Sequence, residues 1–152
     1  MQFEFKKFGT GQPVNLARIA KQLNNYKGAL EIHLGTDSQN IGGKTIYATT
    51  LVVWYPGNGA NVFYIKQKMP KVQDQWSRLW KEIEMSVEVG LYLKENVNFP
   101  IHFINMDYNT DENFPSSKVY KAAKGYAESV GFKAKAKPEL MPATWAANTL
   151  CS

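Results

Sequence analysis

The sequence predicts an α/β domain with a mixed five-stranded sheet and flanking helices. Residues 30–37 alternate Leu, Ile and Leu on one side, and residues 45–55 and 62–69 are rich in β-branched and aromatic residues; the three segments follow one another with short connections. This spacing favours an antiparallel meander. Helical and strand patterns then alternate through the rest of the sequence. The predicted order is therefore βββ-α-β-α-β-α after an N-terminal helix.

The length and composition favour one domain. A chain of 152 residues, of which 44% are hydrophobic, can build one substantial core. We expect an N-terminal arm and helix over residues 1–29 and a core over residues 30–150, which together form a single domain over residues 1–152.

Two of the predicted helices are clearly amphipathic. The first spans residues 14–26, between Pro13 and Gly28, and the second spans residues 76–93. Apolar residues recur at helical spacing on one face of each helix. They are Leu16, Ile19, Ala20 and Leu23 in the first, and Trp76, Leu79, Trp80, Ile83, Val87 and Leu91 in the second.

Turns and shorter elements complete the predicted fold. Pro56-Gly57-Asn58-Gly59 and Gly42-Gly43 are typical of hairpin turns. Further along the chain the pattern predicts a strand at 101–107, a helix at 116–130, a strand at 132–136 and a partial helix at 143–150.

Charge and motif content limit the classes of partner. Lys and Arg outnumber Asp and Glu by 18 to 13, a balance typical of proteins that bind polyanions but shared by many others. The lone Cys151 excludes an internal disulfide, and no segment has the pattern of a signal peptide or a membrane span. We expect a cytoplasmic protein with no membrane partner. No glycine-rich loop opens a helix, so no nucleotide cofactor is indicated, and the oligomeric state stays open.

Two aspartates follow apolar segments that are predicted to be strands. Asp37 ends the first predicted strand and Asp107 ends the fourth. In an α/β sheet of this order the two strands lie side by side, so both carboxylates are expected at one edge of the sheet. Either aspartate could instead be a turn residue that only hydrogen-bonds the nearby backbone.

Glu84 is the glutamate of the long helix that we expect to face inward. At 100° per residue it lies nearer the apolar stripe than Glu82 or Glu88, flanked by Trp80 and Val87. The alternative is a polar residue at the boundary of the buried face.

Three carboxylates that converge beside a core indicate a bound divalent cation, because a cation offsets their desolvation. Mg²⁺ or Mn²⁺ is the expected ion at Asp37, Glu84 and Asp107. Such ions activate water for in-line attack on phosphorus and stabilise the leaving oxyanion. The predicted reaction is therefore phosphodiester hydrolysis.

Four pieces of the sequence occur together in one known family. The first three are Gly35-Thr36-Asp37-Ser38-Gln39, Arg78 with Glu84-Met85-Ser86, and Asp107 after an apolar strand. The fourth begins with Gly131-Phe132-Lys133-Ala134-Lys135 and leads through Lys137-Pro138-Glu139 to Trp145-Ala146-Ala147-Asn148-Thr149. Over residues 30–150 the chain resembles the YkuK-type ribonuclease H-like family of bacterial and phage proteins. The resemblance implies a ribonuclease H fold with Asp37, Glu84 and Asp107 in the acidic positions.

The sequence departs from that family at two places. The family usually carries a further acidic residue shortly after the Trp-Ala-Ala stretch, about where Ser152 stands, and a glycine-containing turn in place of residues 109–115. Three explanations stay open: the sequence stops short of the fourth acid, Asp111 replaces it, or metal binding is weakened.

Lysines form two groups near the C-terminal end of the sequence. Lys133, Lys135 and Lys137 would line one side of a strand, and Lys118, Lys121 and Lys124 lie on the preceding helix. These side chains could follow a phosphate backbone. On an edge strand, lysines also discourage aggregation between sheets.

Two functional hypotheses follow. The first is a metal-dependent ribonuclease H-like nuclease that acts on RNA, alone or in a hybrid with DNA. The second is a catalytically weak or inactive ribonuclease H-like module that binds nucleic acid through its lysines. An interaction scaffold with neither property ranks third. His33 and His102 are expected to be ordinary sheet residues.

Overall fold

The computed structural model describes residues 3–107, 116–136 and 141–151. Their helices and strands follow one another along the chain as β1 (Lys6–Lys7), α1 (Leu16–Asn24), β2 (Glu31–Ile41), β3 (Lys44–Tyr55), β4 (Gly59–Pro70), α2 (Gln75–Asn96), β5 (Phe103–Met106), α3 (Ser116–Ser129), β6 (Lys133–Ala136) and α4 (Pro142–Cys151).

The described strands form one mixed sheet in the order β1-β4-β3-β2-β5-β6. β2, β3 and β4 make an antiparallel meander, and β5 and β6 continue the sheet in parallel with β2. The predicted α/β fold, its meander and the pairing of the first and fourth predicted strands are confirmed. The predicted count of five strands is wrong, because β1 is a two-residue strand, too short to show any apolar alternation.

β2 is longer than the sequence pattern predicted, and this changes the position of Asp37. The strand continues to Ile41 and forms a hairpin with β3, in which Asp37 pairs with Ala48. The polar residues at 37–40 lack the apolar alternation that marks a strand in sequence. Asp37 therefore lies within a strand and not at its end.

Helices cover both faces of the sheet. α1 and α2 pack on β2 and β3 around a cluster that includes Leu23, Leu34, Leu51 and Leu93. α2, α3 and β5 share a second cluster on the same face, which includes Ile83, Val87, Ile104, Ala123 and Ala127. Each large apolar side chain buried in this way stabilises the fold by about 1.5–3 kcal/mol. α4 lies on the opposite face, where Ala143 and Ala146 contact Val52.

Side-chain caps determine where two of these helices begin. The Asp74 carboxylate accepts hydrogen bonds from the backbone N–H and the hydroxyl of Ser77, at 3.0 and 2.7 Å, at the start of α2. Asn15 caps α1 by accepting from the N–H of Arg18 at 3.1 Å. Within the described part of the chain, no helix is both long enough and apolar enough to cross a bilayer.

The first turn of α4 packs closely on β2 and β5. Gly35 permits this approach, since a Cβ there would lie 3.0 Å from Cγ2 of Thr144 and 3.1 Å from Cβ of Ala143. The N–H of Ala143 donates to Oδ1 of Asn105 at 3.0 Å. The hydroxyl of Thr50 donates to the carbonyl of Ala143. These contacts fix α4 to the sheet next to the strand that carries Asp37.

Candidate active site

Glu82 is the glutamate of α2 that contacts the sheet. The residue is only 4% exposed, and its Oε2 accepts a hydrogen bond from the Ser38 hydroxyl at 2.5 Å. A buried carboxylate needs such a donor, because leaving water penalises its charged form. The bond joins α2 to β2 one residue beyond Asp37.

The helical row that contains Glu82 explains its orientation. Ser86 and Gly90 follow at intervals of four residues and therefore lie on the same side of α2. Oγ of Ser86 lies 2.8 Å from Oγ1 of Thr36, and a Cβ on Gly90 would lie 3.3 Å from Cδ2 of Leu34. Small residues thus bring α2 close to β2, and Glu82, one turn earlier, meets the same strand.

Glu84 does not have the inward orientation that the sequence pattern predicted. It is half-buried and lines a groove between α2 and α3, together with Trp76, Trp80 and Lys118. The prediction followed the stripe of large apolar residues, part of which faces α3 and this groove. The side of α2 nearest the sheet is the one with small residues, and Glu82 lies there. The role of Glu84 as a site residue stays a prediction.

Asp37 and Asp107 approach each other through the parallel pairing of β2 and β5. The register pairs Gly35 with Asn105. Extended by two residues beyond the end of β5, this register would place Asp107 opposite Asp37, and the charges of both aspartates act on Glu82. Both aspartates are half-buried. Oδ1 of Asp37 accepts a hydrogen bond from the backbone N–H of Ser38 at 2.9 Å.

Asp37, Glu82 and Asp107, hereafter the acidic cluster, interact electrostatically. Burial raises the pKa of Glu82 well above its usual value, and the charges of Asp37 and Asp107 raise it further. The hydrogen bond from Ser38 and the charge of Arg78 act in the opposite direction. Glu82 therefore keeps its negative charge most readily when a cation is near.

Tyr47 and Arg78 border the acidic cluster. Tyr47 is 1% exposed and pairs with Ser38 across the β2–β3 hairpin. Burial raises the pKa of Tyr47, the charge of Glu82 adds to this effect and Arg78 opposes it. Neither the Tyr47 hydroxyl nor Nε of Arg78 has a hydrogen-bond partner among the described residues. Buried donors are normally hydrogen-bonded, so these two donors are suited to bind a water, an ion or a substrate group.

The oxygen donors of the acidic cluster suit Mg²⁺ or Mn²⁺, the ions expected from the sequence. In residues 3–107, 116–136 and 141–151, no three His, Cys, Asp or Glu side chains lie close enough together to hold a metal ion. Asp111, the candidate for a fourth acid, lies outside the described residues. The chemistry of the donors therefore fits a divalent cation, while the described side chains do not enclose one.

The lysines predicted to contact nucleic acid are divided between two sides of the sheet. Lys133 and Lys135 lie in β6 and pair with residues of β5, on the side of the sheet that α4 covers. Lys118, Lys121 and Lys124 lie on α3, which packs on the other side. All of these except Lys135 are exposed. The two groups therefore do not form one continuous row.

Lys135 makes contacts within the protein. Its Nζ lies 3.8 Å from Oε1 of Glu31 and 4.2 Å from the centroid of the Phe103 ring. Lys137 lies outside the described residues. Of the two described lysines of β6, Lys133 is thus the exposed one.

His33 belongs to a buried polar network that supports α4. Its Nε2–H donates to Oε1 of Glu31 at 3.0 Å, and its Nδ1 accepts from the Asn105 amide at 2.9 Å. Asn105 in turn accepts from the N–H of Ala143. Burial lowers the pKa of His33, an effect that Glu31 opposes. A neutral His33 is therefore part of the fold.

The hydrophobic pattern of the sequence does not indicate that Ser38, Glu82, Tyr47 and Arg78 interact in the folded protein. The spacing of Glu82, Ser86 and Gly90 was the available signal, since small residues at intervals of four mark the side of a helix that packs most closely. Arg78 lies one turn before Glu82 in the same row.

Comparisons with known proteins agree with this architecture. The family model for ribonuclease H-like proteins matches residues 16–151, which is most of the chain. Searches of curated proteins and of solved structures gave no significant match. The matched region contains the meander, the parallel strands and all members of the acidic cluster. The chain therefore belongs to the ribonuclease H-like family, as the resemblance of its motifs to YkuK-type members predicted.

Proposed function

We propose that this protein is a divalent-metal-dependent nuclease that hydrolyses phosphodiester bonds in RNA or in an RNA/DNA hybrid. Asp37, Glu82 and Asp107 would supply carboxylate ligands to the metal, which requires their side chains to come closer together than they lie in this structure. Glu82 takes the role that the sequence pattern gave to Glu84. Ribonuclease H-like folds generally use divalent metals, and the family suggests nucleic acid as the partner. Both properties support the proposal.

The observation that carries the proposal is the electrostatic state of Glu82. The residue is 4% exposed, and the charges of Asp37 and Asp107 disfavour its ionisation. A buried carboxylate repelled by two others destabilises a protein unless a bound proton or a cation neutralises it. Mg²⁺ and Mn²⁺ prefer such oxygen ligands, and each can bind substrate phosphate at the same time.

The described residues supply orientation and hydrogen-bond donors. Ser38 positions two of the three carboxylates, because its N–H donates to Asp37 and its hydroxyl donates to Glu82. Nε–H of Arg78, which has no hydrogen-bond partner among the described residues, is a suitable donor to a phosphate oxygen. A divalent ion, when bound, supplies water activation and stabilisation of the leaving oxygen.

A second candidate function is a nucleic-acid-binding module with little or no cleavage. It is favoured by one observation, that no three acidic, His or Cys side chains in the described residues come close enough to hold a metal. The formal net charge of +5 suits this function equally well. Such a module would bind nucleic acid in a salt-dependent manner without turnover.

Cleavage of labelled oligonucleotides separates these candidates. Single-stranded RNA, an RNA/DNA hybrid and duplex DNA are incubated with the protein in Mn²⁺, Mg²⁺ or EDTA, and products are resolved on denaturing gels. We expect metal-dependent cleavage of RNA or of the hybrid. Asp37→Asn and Glu82→Gln should each reduce the cleavage rate at least a hundredfold, which corresponds to an increase of about 2.7 kcal/mol or more in the activation free energy.

Glu88→Gln is the matched control, since Glu88 is an exposed glutamate of the same helix. It should cleave at the wild-type rate. Binding without cleavage in any of the metals would favour the second candidate. Cleavage that survives in both Asp37→Asn and Glu82→Gln would remove the acidic cluster from the mechanism.

A further inference from the structure

An apolar groove lies between the end of β4, the first turns of α2 and the start of α3. Its volume is about 890 Å³, within the range of sites that bind small organic groups. Met69, Val72, Trp76, Trp80 and Val119 give it an apolar lining. A groove of this kind indicates a ligand with a substantial nonpolar surface.

Trp76 is the exposed aromatic residue of this groove. It is 40% exposed, whereas its neighbour Trp80 packs against Tyr126 of α3 with ring centroids 5.9 Å apart. Trp76 lies in the first turn of a helix that Asp74 caps, so its backbone is fixed. A solvent-accessible indole on a fixed backbone is a surface on which a nucleobase can stack.

Charged side chains border the same groove. Lys81 of α2 and Lys118 of α3 both line it, and their ammonium groups suit a ligand that carries phosphate. Glu84 also lines the groove, and its carboxylate can accept a hydrogen bond from the amino group of a base. A planar base attached to phosphates matches this combination better than a purely apolar partner does.

Tyr47 connects the groove to the acidic cluster. The residue lines the groove, and its hydroxyl interacts electrostatically with Glu82 and Arg78. The groove therefore begins beside the residues that we propose for phosphodiester cleavage.

We infer that this groove binds an unpaired nucleobase of a single-stranded nucleic acid, stacked on Trp76 next to the scissile phosphate. Lys81 and Lys118 contact the phosphates that flank this nucleotide. The inference rests on the proposed nuclease function for the location of the scissile phosphate. It narrows the substrate to chains with at least one unpaired nucleotide beside the cleaved bond.

Binding of dye-labelled single-stranded RNA, measured by fluorescence anisotropy in EDTA so that no cleavage occurs, tests the inference. Trp76→Ala should raise Kd about 5-fold to 150-fold, the effect of losing one stacked base. Phe8→Ala is the matched control, because Phe8 is 39% exposed and packs against Tyr64 of β4, outside the groove. Its Kd should equal that of the wild type, and Trp76→Phe should recover most of the affinity.

An abasic oligonucleotide of the same length shows whether the lost affinity belongs to a base. It keeps the phosphates, so wild type and Trp76→Ala should bind it with equal, weaker affinity. Circular dichroism of each variant controls for folding. Equal affinity of wild type and Trp76→Ala for the normal RNA would overturn the inference. The wild-type protein could also self-associate in a way that Trp76→Ala abolishes while RNA affinity is unchanged. That result would overturn the inference too, because a second copy of the protein would then occupy the groove.

The cleavage assay distinguishes this inference from the proposed function. In one outcome, Asp37→Asn abolishes cleavage while Trp76→Ala leaves base-dependent binding unchanged. That result would refute base binding in the groove and support the nuclease function. If base-dependent binding requires Trp76 but the wild-type protein cleaves no substrate, the nuclease function is refuted and the stacking site is supported.

Discussion

The Ser38 hydroxyl donates a hydrogen bond to the buried carboxylate of Glu82 at 2.5 Å, while the backbone N–H of Ser38 donates to Asp37. One residue thus orients carboxylates that belong to a strand and to a helix. The hydrogen bond to Glu82 also lowers a pKa that burial and two negative charges raise. Ser38 therefore influences both the geometry and the charge of the acidic cluster.

Ser38→Ala should make cleavage depend on a higher pH. Without the hydroxyl, the pKa of Glu82 rises further, so the ascending limb of the pH–rate profile moves to higher pH. Rates over a pH series in saturating Mn²⁺ measure the shift, and Ser38→Thr, which keeps a hydroxyl, should restore the wild-type profile. A uniform loss of rate at every pH would mean that Ser38 is only structural.

Glu82→Gln should stabilise the metal-free protein at neutral pH. A carboxyl group whose folded-state pKa is raised contributes stability below its unfolded pKa of about 4.3 and loses that contribution as the pH rises through the folded value. Gln is neutral at every pH. The free energy of unfolding at pH 7 in EDTA should therefore increase by on the order of 1–3 kcal/mol, as measured by urea denaturation.

The gain from Glu82→Gln should disappear at pH 4, where Glu82 is protonated in the wild type. Glu88→Gln should change the free energy of unfolding at neither pH, because Glu88 is exposed. A Gln variant that is less stable than the wild type at pH 7 would show that the ionised carboxylate is not penalised by its surroundings.

Mn²⁺ should raise the thermal midpoint of the wild-type protein and leave that of Glu82→Gln nearly unchanged. A ligand that binds the folded state stabilises it in proportion to the logarithm of its concentration over Kd. Differential scanning fluorimetry over a Mn²⁺ series at low protein concentration measures this effect. Equal midpoint shifts in both proteins would place the bound ion elsewhere.

Acidification should weaken the support of α4. Burial lowers the folded-state pKa of His33, so its stabilising contribution is present above the unfolded pKa of about 6.5 and is lost as the pH falls through the folded value. The charged and titratable groups that interact with it are Glu31, Lys135 and His102. Imidazole NMR signals, assigned with His102→Asn, should show His33 titrating below pH 6.5.

Gly35→Ala should destabilise the protein by about 1–3 kcal/mol, the usual effect of overpacking. Its added Cβ would lie 3.0–3.2 Å from atoms of Ala143 and Thr144, including a backbone nitrogen. Gly43→Ala is the matched control, because a Cβ there meets no atom within 4 Å among the described residues. Equal urea midpoints for the two variants would mean that α4 adjusts freely to a larger residue.

The sequence was sufficient for the predicted meander and for the pairing of β2 with β5, because alternating apolar residues and short turns determine both. Glu82 was missed for a physical reason. The most hydrophobic stripe of α2 contacts both the core and α3, so its centre does not mark the side nearest the sheet. Close packing against β2 depends instead on Ser86 and Gly90, whose small size contributes little to a hydrophobic pattern. β1 was missed because its pairing comes from tertiary contact and not from composition.

The segment Gly35-Thr36-Asp37-Ser38 joins all three layers of the protein. Gly35 admits α4 on one face, and the Thr36 hydroxyl reaches Ser86 of α2 and Thr49 of β3 on the other. Packing thus requires Gly35 and Thr36, whatever the role of Asp37. A relative that keeps Gly35 and Thr36 but has lost Asp37 would be expected to fold in the same way without cutting nucleic acid. The motif therefore identifies an architecture, and under the proposed function the Asp37 carboxylate within it decides whether that architecture cleaves nucleic acid.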